Sequence, residues 1–177
     1  MDWTIITSVL GGALGASLIT AFVNWRMKVR EEKHEAERWK REKRLALYTK
    51  VTTLHRKLDD LSTRFAASYA DVLAYQKSPE GDEAGLQEYK HASQVIFDQM
   101  REVMREVDIE TNLSFMVASR EITKLLNRYG STATKWVQIR FEYLDGRATE
   151  ETARQAEKAQ SDAWQEFIIG ARSDLGF

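Results

Sequence analysis

The chain contains no cysteine. That excludes disulfides, thiolate metal sites and a cysteine nucleophile. Proline occurs once, at Pro79, and glycine nine times in 177 residues. With so few breakers and 30% charged residues, long helices are expected rather than sheet. An excess of one charge is missing too: the formal net charge is −1, so no nucleic-acid partner is expected. No GxxxxGK[ST], GxSxG, HExxH or GxGxxG string occurs. An enzyme is therefore not expected, and neither a metal nor a cofactor.

Charge itself is lacking in one stretch. Residues 3–23 read WTIITSVLGGALGASLITAFV, without a single ionisable side chain. As a helix they would extend about 31 Å, close to the hydrocarbon thickness of a bilayer. Trp3 and Trp25 bracket the run, where indole rings favour the membrane interface. A cleaved signal peptide would want a basic start and a small-x-small site after the run. Asp2 and the segment Ala21-Phe22-Val23-Asn24 supply neither. A transmembrane helix is expected over residues 1–25.

Orientation follows from the flanks. No Lys or Arg precedes the run, and Arg26, Lys28 and Arg30 follow it at once. Positive flanks stay cytoplasmic, so the N-terminus should face out of the cell membrane and the C-terminal domain in. Arg26, Lys28 and Arg30 should also meet anionic lipid headgroups. Within the span, Gly11 and Gly15 form a GxxxG, and Ser8, Gly12, Ala16 and Thr20 a second row at four-residue spacing. Such faces let two membrane helices pack closely, which makes a homo-oligomer an expectation.

Residues 26–44 carry nine positive and five negative side chains. Lys33/Glu37, Glu37/Arg41 and Arg38/Glu42 stand four apart, each pair adding about 0.2–0.5 kcal/mol to a solvated helix. Nothing breaks the pattern, so a helical stalk should continue the membrane helix. Trp39 is the odd residue in it.

Residues 45–177 show four stretches with alternating spacings of three and four. Leu47, Val51, Leu54, Leu58, Leu61, Phe65, Ser68, Val72 and Tyr75 mark the first. Leu86, Tyr89, Ser93, Ile96, Met100, Val103 and Val107 mark the second. Phe115, Ala118, Ile122, Leu125, Tyr129, Thr132, Trp136, Ile139 and Tyr143 mark the third. Ala153, Ala156, Gln160, Ala163, Phe167 and Gly170 mark the fourth. Helices packed side by side produce this pattern. Breaks are expected at 78–82, with Ser78 or Asp82 as N-cap, and at 108–112, with Thr111 or Asn112 as cap. A third is expected at Asp145-Gly146, with Thr149 capping the fourth helix. Short connections imply antiparallel neighbours. The predicted fold is all-α: an N-terminal transmembrane helix continuing through a charged stalk into an antiparallel four-helix bundle.

Three histidines occur: His34, His55 and His91. Glu31/His34 and Glu88/His91 have the Glu-x-x-His spacing of di-iron bundles. The first pair lies in the stalk and the second falls off the apolar seam, so a metal site is not expected. His55 adjoins the seam and should be a hydrogen-bonded histidine at the core's edge. Tyr129, Trp136, Phe141 and Tyr143 have the spacing of core aromatics.

Two local patterns stand out. One is Trp39-x-Arg41-x-x-Arg44-x-Ala46-x-Tyr48; the other is Phe167-x-x-x-Ala171-Arg172-x-Asp174-Leu175-Gly176. With the membrane helix, they give a layout that resembles small single-pass membrane proteins of actinobacteria and their phages. No activity attaches to that group, so the resemblance carries over no catalytic residue. Its phage association implies a protein that alters infection at the membrane. From the residues alone, Trp39, Ala46 and Tyr48 should fold the stalk onto the bundle, while Arg172 and Gly176 suit a helix end. The expected function is a membrane-tethered scaffold or adaptor that binds protein partners. The alternative is a membrane-active effector of phage-exclusion or host-defence type, assembling through its transmembrane helix.

Overall fold

The computed structural model describes residues 3–78 and 82–177, with side chains described from residue 21 onward except at 144. Four helices follow one another: α1 Trp3–Lys77, α2 Glu83–Val117, α3 Arg120–Leu144 and α4 Glu150–Leu175. Two compact units result, Met1–Glu42 and Lys43–Phe177. The predicted membrane face (Trp3, Ser8, Gly11, Gly12, Gly15, Ala16 and Thr20) lies outside the residues whose side chains are described. Among those that are described, no helix is long and apolar enough to cross a membrane.

The first unit, from residue 21 on, is helix with its side chains exposed apart from the half-buried Val29. Phe22, Trp25 and Trp39 are more than half exposed. Lys40 pairs with Glu37 one turn away. Such exposed pairs add little to stability.

The second unit is an antiparallel helical bundle. On α1 the seam Leu47, Val51, Leu54, Leu58, Leu61, Phe65 and Val72 is buried, as its spacing requires. It faces α2 in the reverse direction: Lys50 reaches Glu106, Phe65 meets Phe97, and Ser68 bonds Ser93. It faces α4 the same way, with Tyr48 at Asp174 and His55 at Trp164. Across the diagonal, Phe65 stacks on Phe141 of α3. The shared core closes around Met100, Val103, Val107, Leu126, Tyr129 and Phe167.

The α3–α4 contact is built from small residues. Ala156, Ala163 and Ala171 are buried on α4. At Gly170 a β-carbon would stand 2.6 Å from Leu125 Cδ1 and 3.0 Å from Ile122 Cδ1, so glycine is what lets the leucine lie there.

The helix ends follow local chemistry. Asp82 caps α2, its carboxylate accepting from the Gly85 amide at 2.7 Å. Thr149 caps α4, and Gly176, at φ +83°, ends it by sending its amide back to Arg172 and Ser173. Pro79 and Gly81 of the first predicted break lie outside the described residues.

The predicted break at 108–112 is corrected. Helix α2 runs through it to Val117, and Ser119 caps α3 by accepting from the Ile122 amide. The buried face changes from apolar to polar here without leaving the helix. The Thr111 hydroxyl donates to the Val107 carbonyl, and the Ser114 hydroxyl donates to the Thr111 carbonyl. Both side chains are buried, their polarity satisfied by their own helix. Phe115, expected to open the third seam, sits on α2 and is 67% exposed.

Candidate functional site

The two sequence patterns at 39–48 and 167–176 meet in the fold. Arg44 is partly buried on α1. Its Nε donates to the Val117 carbonyl at 2.8 Å and stands 3.5 Å from Asp174 Oδ2. That carbonyl belongs to the last turn of α2, which has no partner within its own helix. A guanidinium also suits the negative end of a helix dipole. The Tyr48 hydroxyl donates to Asp174 Oδ2 at 2.6 Å, and its ring meets Phe167 edge-on at 5.9 Å. Burial first, then the Asp174 carboxylate, pushes the Tyr48 phenol well above the ordinary tyrosine range. Asp174 lies near the C-terminus of α4, where a carboxylate opposes the dipole; Arg44 and Tyr48 offset that. One cluster thus ties α1 to the ends of α2 and α4. Of the residues in the 39–48 pattern, Tyr48 and Arg44 do this, while Ala46 is exposed.

A second polar cluster lies farther along α1. His55 Nδ1 is 3.0 Å from the Tyr129 hydroxyl and 3.5 Å from Gln160 Nε2. The imidazole stacks on Trp164 with centroids 3.8 Å apart. Burial lowers the His55 pKa, with Asp59 acting weakly the other way, so the ring is neutral at pH 7. Burial raises the Tyr129 pKa, partly countered by a hydrogen bond from Gln160, so the phenol keeps its proton. A protonated phenol and an amide nitrogen both point at Nδ1. The cluster is a satisfied polar patch spanning α1, α3 and α4, the core-edge histidine expected from sequence. It opens onto a cleft of about 450 Å³ bordered by Asp59, Trp136, Arg154 and Lys158. Charges of both signs line that cleft, which gives it no selective field for an anion or a cation.

The remaining candidates fall as follows. Trp25, Arg26, Lys28 and Arg30 lie on α1 in the first unit, all exposed. His34 and His91 are exposed, as are Glu31 and Glu88. Among the described residues no group of three His, Cys, Asp or Glu side chains could hold a metal ion. Tyr129 and Trp136 are core residues and Tyr143 is 38% exposed. The Arg140 guanidinium lies 5.9 Å from the Trp136 ring centre, and its buried Nε has no hydrogen-bond partner among the described residues.

Sequence reasoning found Arg44, Tyr48, Phe167 and Asp174 as two separate patterns and missed that they form one cluster. Reciprocal charge at the two ends of the bundle stretch, Arg44 and Asp174, was the available signal. Comparison with known proteins adds nothing to place beside it: no protein-family model, no curated protein and no solved structure matches the chain.

Proposed function

We propose that this chain is a membrane-tethered helical adaptor, anchored near residues 3–23, which presents its bundle to protein partners on the cytoplasmic side. The observation that carries the reading is the uncharged 21-residue run followed at once by Arg26, Lys28 and Arg30. The bundle supports it in kind. Its interior is packed mainly with apolar side chains, and the polar cleft beside His55 is bordered by charges of both signs. Such a body suits recognition through its surface. Lipid contacts fall to Trp3, Trp25, Arg26, Lys28 and Arg30.

The test is chemical crosslinking in native membranes, followed by purification and mass spectrometry. A distinct protein recovered in fixed ratio supports the adaptor. Recovery of the chain alone, as a defined oligomer whose effect is lost when Gly11, Gly12 and Gly15 become leucine, replaces it with the membrane-active effector that the phage resemblance implies.

A further inference from the structure

Helix α1 carries two different apolar rows. The bundle row, buried from Leu47 to Phe65, keeps a three-four spacing. Counted back toward the N-terminus, that spacing falls on Arg44, Lys40, Glu37, Lys33, Arg30 and Arg26. The bundle seam therefore has no apolar continuation in the first unit. A second row does exist there. Phe22, Trp25, Val29, Glu32, Ala36 and Trp39 alternate three and four, a strict seven-residue repeat. Between residues 28 and 42 the only apolar side chains are Val29, Ala36 and Trp39, and all three fall on this row. A chance distribution around a solvated helix would scatter them. Met27 and Val23 lie off the row, next to the uncharged run.

We infer that this row is a seam for a second, parallel copy of the same chain, deepening the adaptor reading and resting on it for the parallel direction. Phe22 and Trp39 are 56% and 52% exposed within one copy, and Trp25, 61% exposed at the membrane end of the row, has an edge for the second copy besides the one it offers the lipid. A period of 3.5 residues is the two-stranded coiled-coil pattern, with these residues at the two core positions of each heptad. The flanking charges fit a parallel partner. Glu35 precedes a core position and Lys40 follows the next one, so each Glu35 faces Lys40 of the second copy, twice by symmetry. Glu32, the one acid on the row, comes beside Lys33 of the second copy. Two pairs are repulsive: Lys28 faces Lys33 on the flank nearest the uncharged run, and Glu32 faces Glu32 of the second copy across the core. Counted on toward the N-terminus, the same repeat reaches Leu18, Gly15 and Gly11. The seam is short, about three heptads, and its acid at a core position weakens it. Tethering in one membrane raises the effective concentration that such a seam needs.

The absence of native cysteine makes the test direct. Single variants Ala36→Cys and Val29→Cys, on the row, and His34→Cys and Arg41→Cys, off it, are oxidised in native membranes as full-length chains. Portions of each membrane sample are extracted with alkaline carbonate. The expected result is a disulfide-linked species of twice the chain mass for Ala36→Cys and Val29→Cys, several-fold above that for His34→Cys and Arg41→Cys. Adding Trp39→Glu should remove the Ala36→Cys product. Equal crosslinking at all four positions, no product at Ala36→Cys, or a product containing a different protein overturns the inference. If carbonate releases the chain while Ala36→Cys still links selectively, the seam stands and the membrane anchor fails. If the chain stays in the membrane without selective linkage, the anchor stands and the seam fails.

Discussion

Residues 21–42 and residues 43–77 belong to the same helix, yet they reach stability by opposite routes. The first stretch is charged on nearly every face and exposes its few large apolar side chains. The second buries a leucine- and valine-rich seam against three neighbours. Helix propensity and pairs one turn apart, such as Lys40 with Glu37, account for the first, at about 0.2–0.5 kcal/mol per pair. Burial accounts for the second, at about 1.5–3 kcal/mol for each large side chain removed from water. The difference teaches that helical periodicity has to be read one face at a time. The seven-residue row of the first stretch and the bundle seam of the second occupy different positions, and each needs its own partner.

Substitution should separate the two stretches. The largest effect is expected from Phe65→Ala, which removes a ring that is 1% exposed and touches Phe97 and Phe141. About 3–5 kcal/mol of bundle stability should be lost in urea unfolding followed by circular dichroism. Val29→Ala, in the first stretch, should leave that unfolding curve in place. Comparable losses from the two would erase the contrast.

Next comes the α3–α4 contact. Gly170→Val should cost about 1–3 kcal/mol, because its branched side chain must displace Leu125 and Ile122. Gly130→Ala has 3.7 Å to its nearest neighbour and should gain up to about 1 kcal/mol through helix propensity. If Gly130→Ala destabilises as much as Gly170→Val, close approach is not what selects glycine there.

Tyr48→Phe should cost about 1–2 kcal/mol by removing one donor from the largely buried Asp174. The remaining effect is a pH dependence. The folded pKa of His55 lies below its ordinary value of about 6.5, so protonation favours the unfolded chain. Its contribution is present above that ordinary value and is lost as pH falls from there through the lowered folded value. The melting temperature should drop over that window. In His55→Gln that part of the drop should vanish, while His34→Gln, in the exposed stretch, should leave it unchanged.

The sequence was most readable where burial alone shapes it. The α4 row from Ala156 to Phe167 and the α1 row from Leu47 to Phe65 are buried in the phase their spacing required. Asp82, Thr149 and Gly176 end helices because their side chains, or the lack of one, meet a local need. The 108–112 break failed for an equally local reason. Thr111 and Ser114 satisfy their hydroxyls on the preceding turn, so a buried helical face can look like a polar linker. The better signal was Ser119 followed by Glu121, a cap and an acid in the first turn. His55 was legible as a core-edge residue, but Tyr129, Gln160 and Trp164 were not legible as its partners. They stand on two other helices, and periodicity along one helix says nothing about which residues of another lie opposite. The same holds for Arg44 and Asp174, one contact split between two distant patterns.

The most direct measurement is sidedness. Single cysteines placed at Asp60 and at Ser173, both exposed in the bundle, are offered a membrane-impermeant maleimide in intact cells and again after lysis. The expected result is labelling only after lysis, with the labelled chain remaining in the carbonate-washed membrane pellet. Labelling of intact cells, or recovery of the chain in the carbonate supernatant, would contradict a cytoplasmic bundle tethered by residues 3–23.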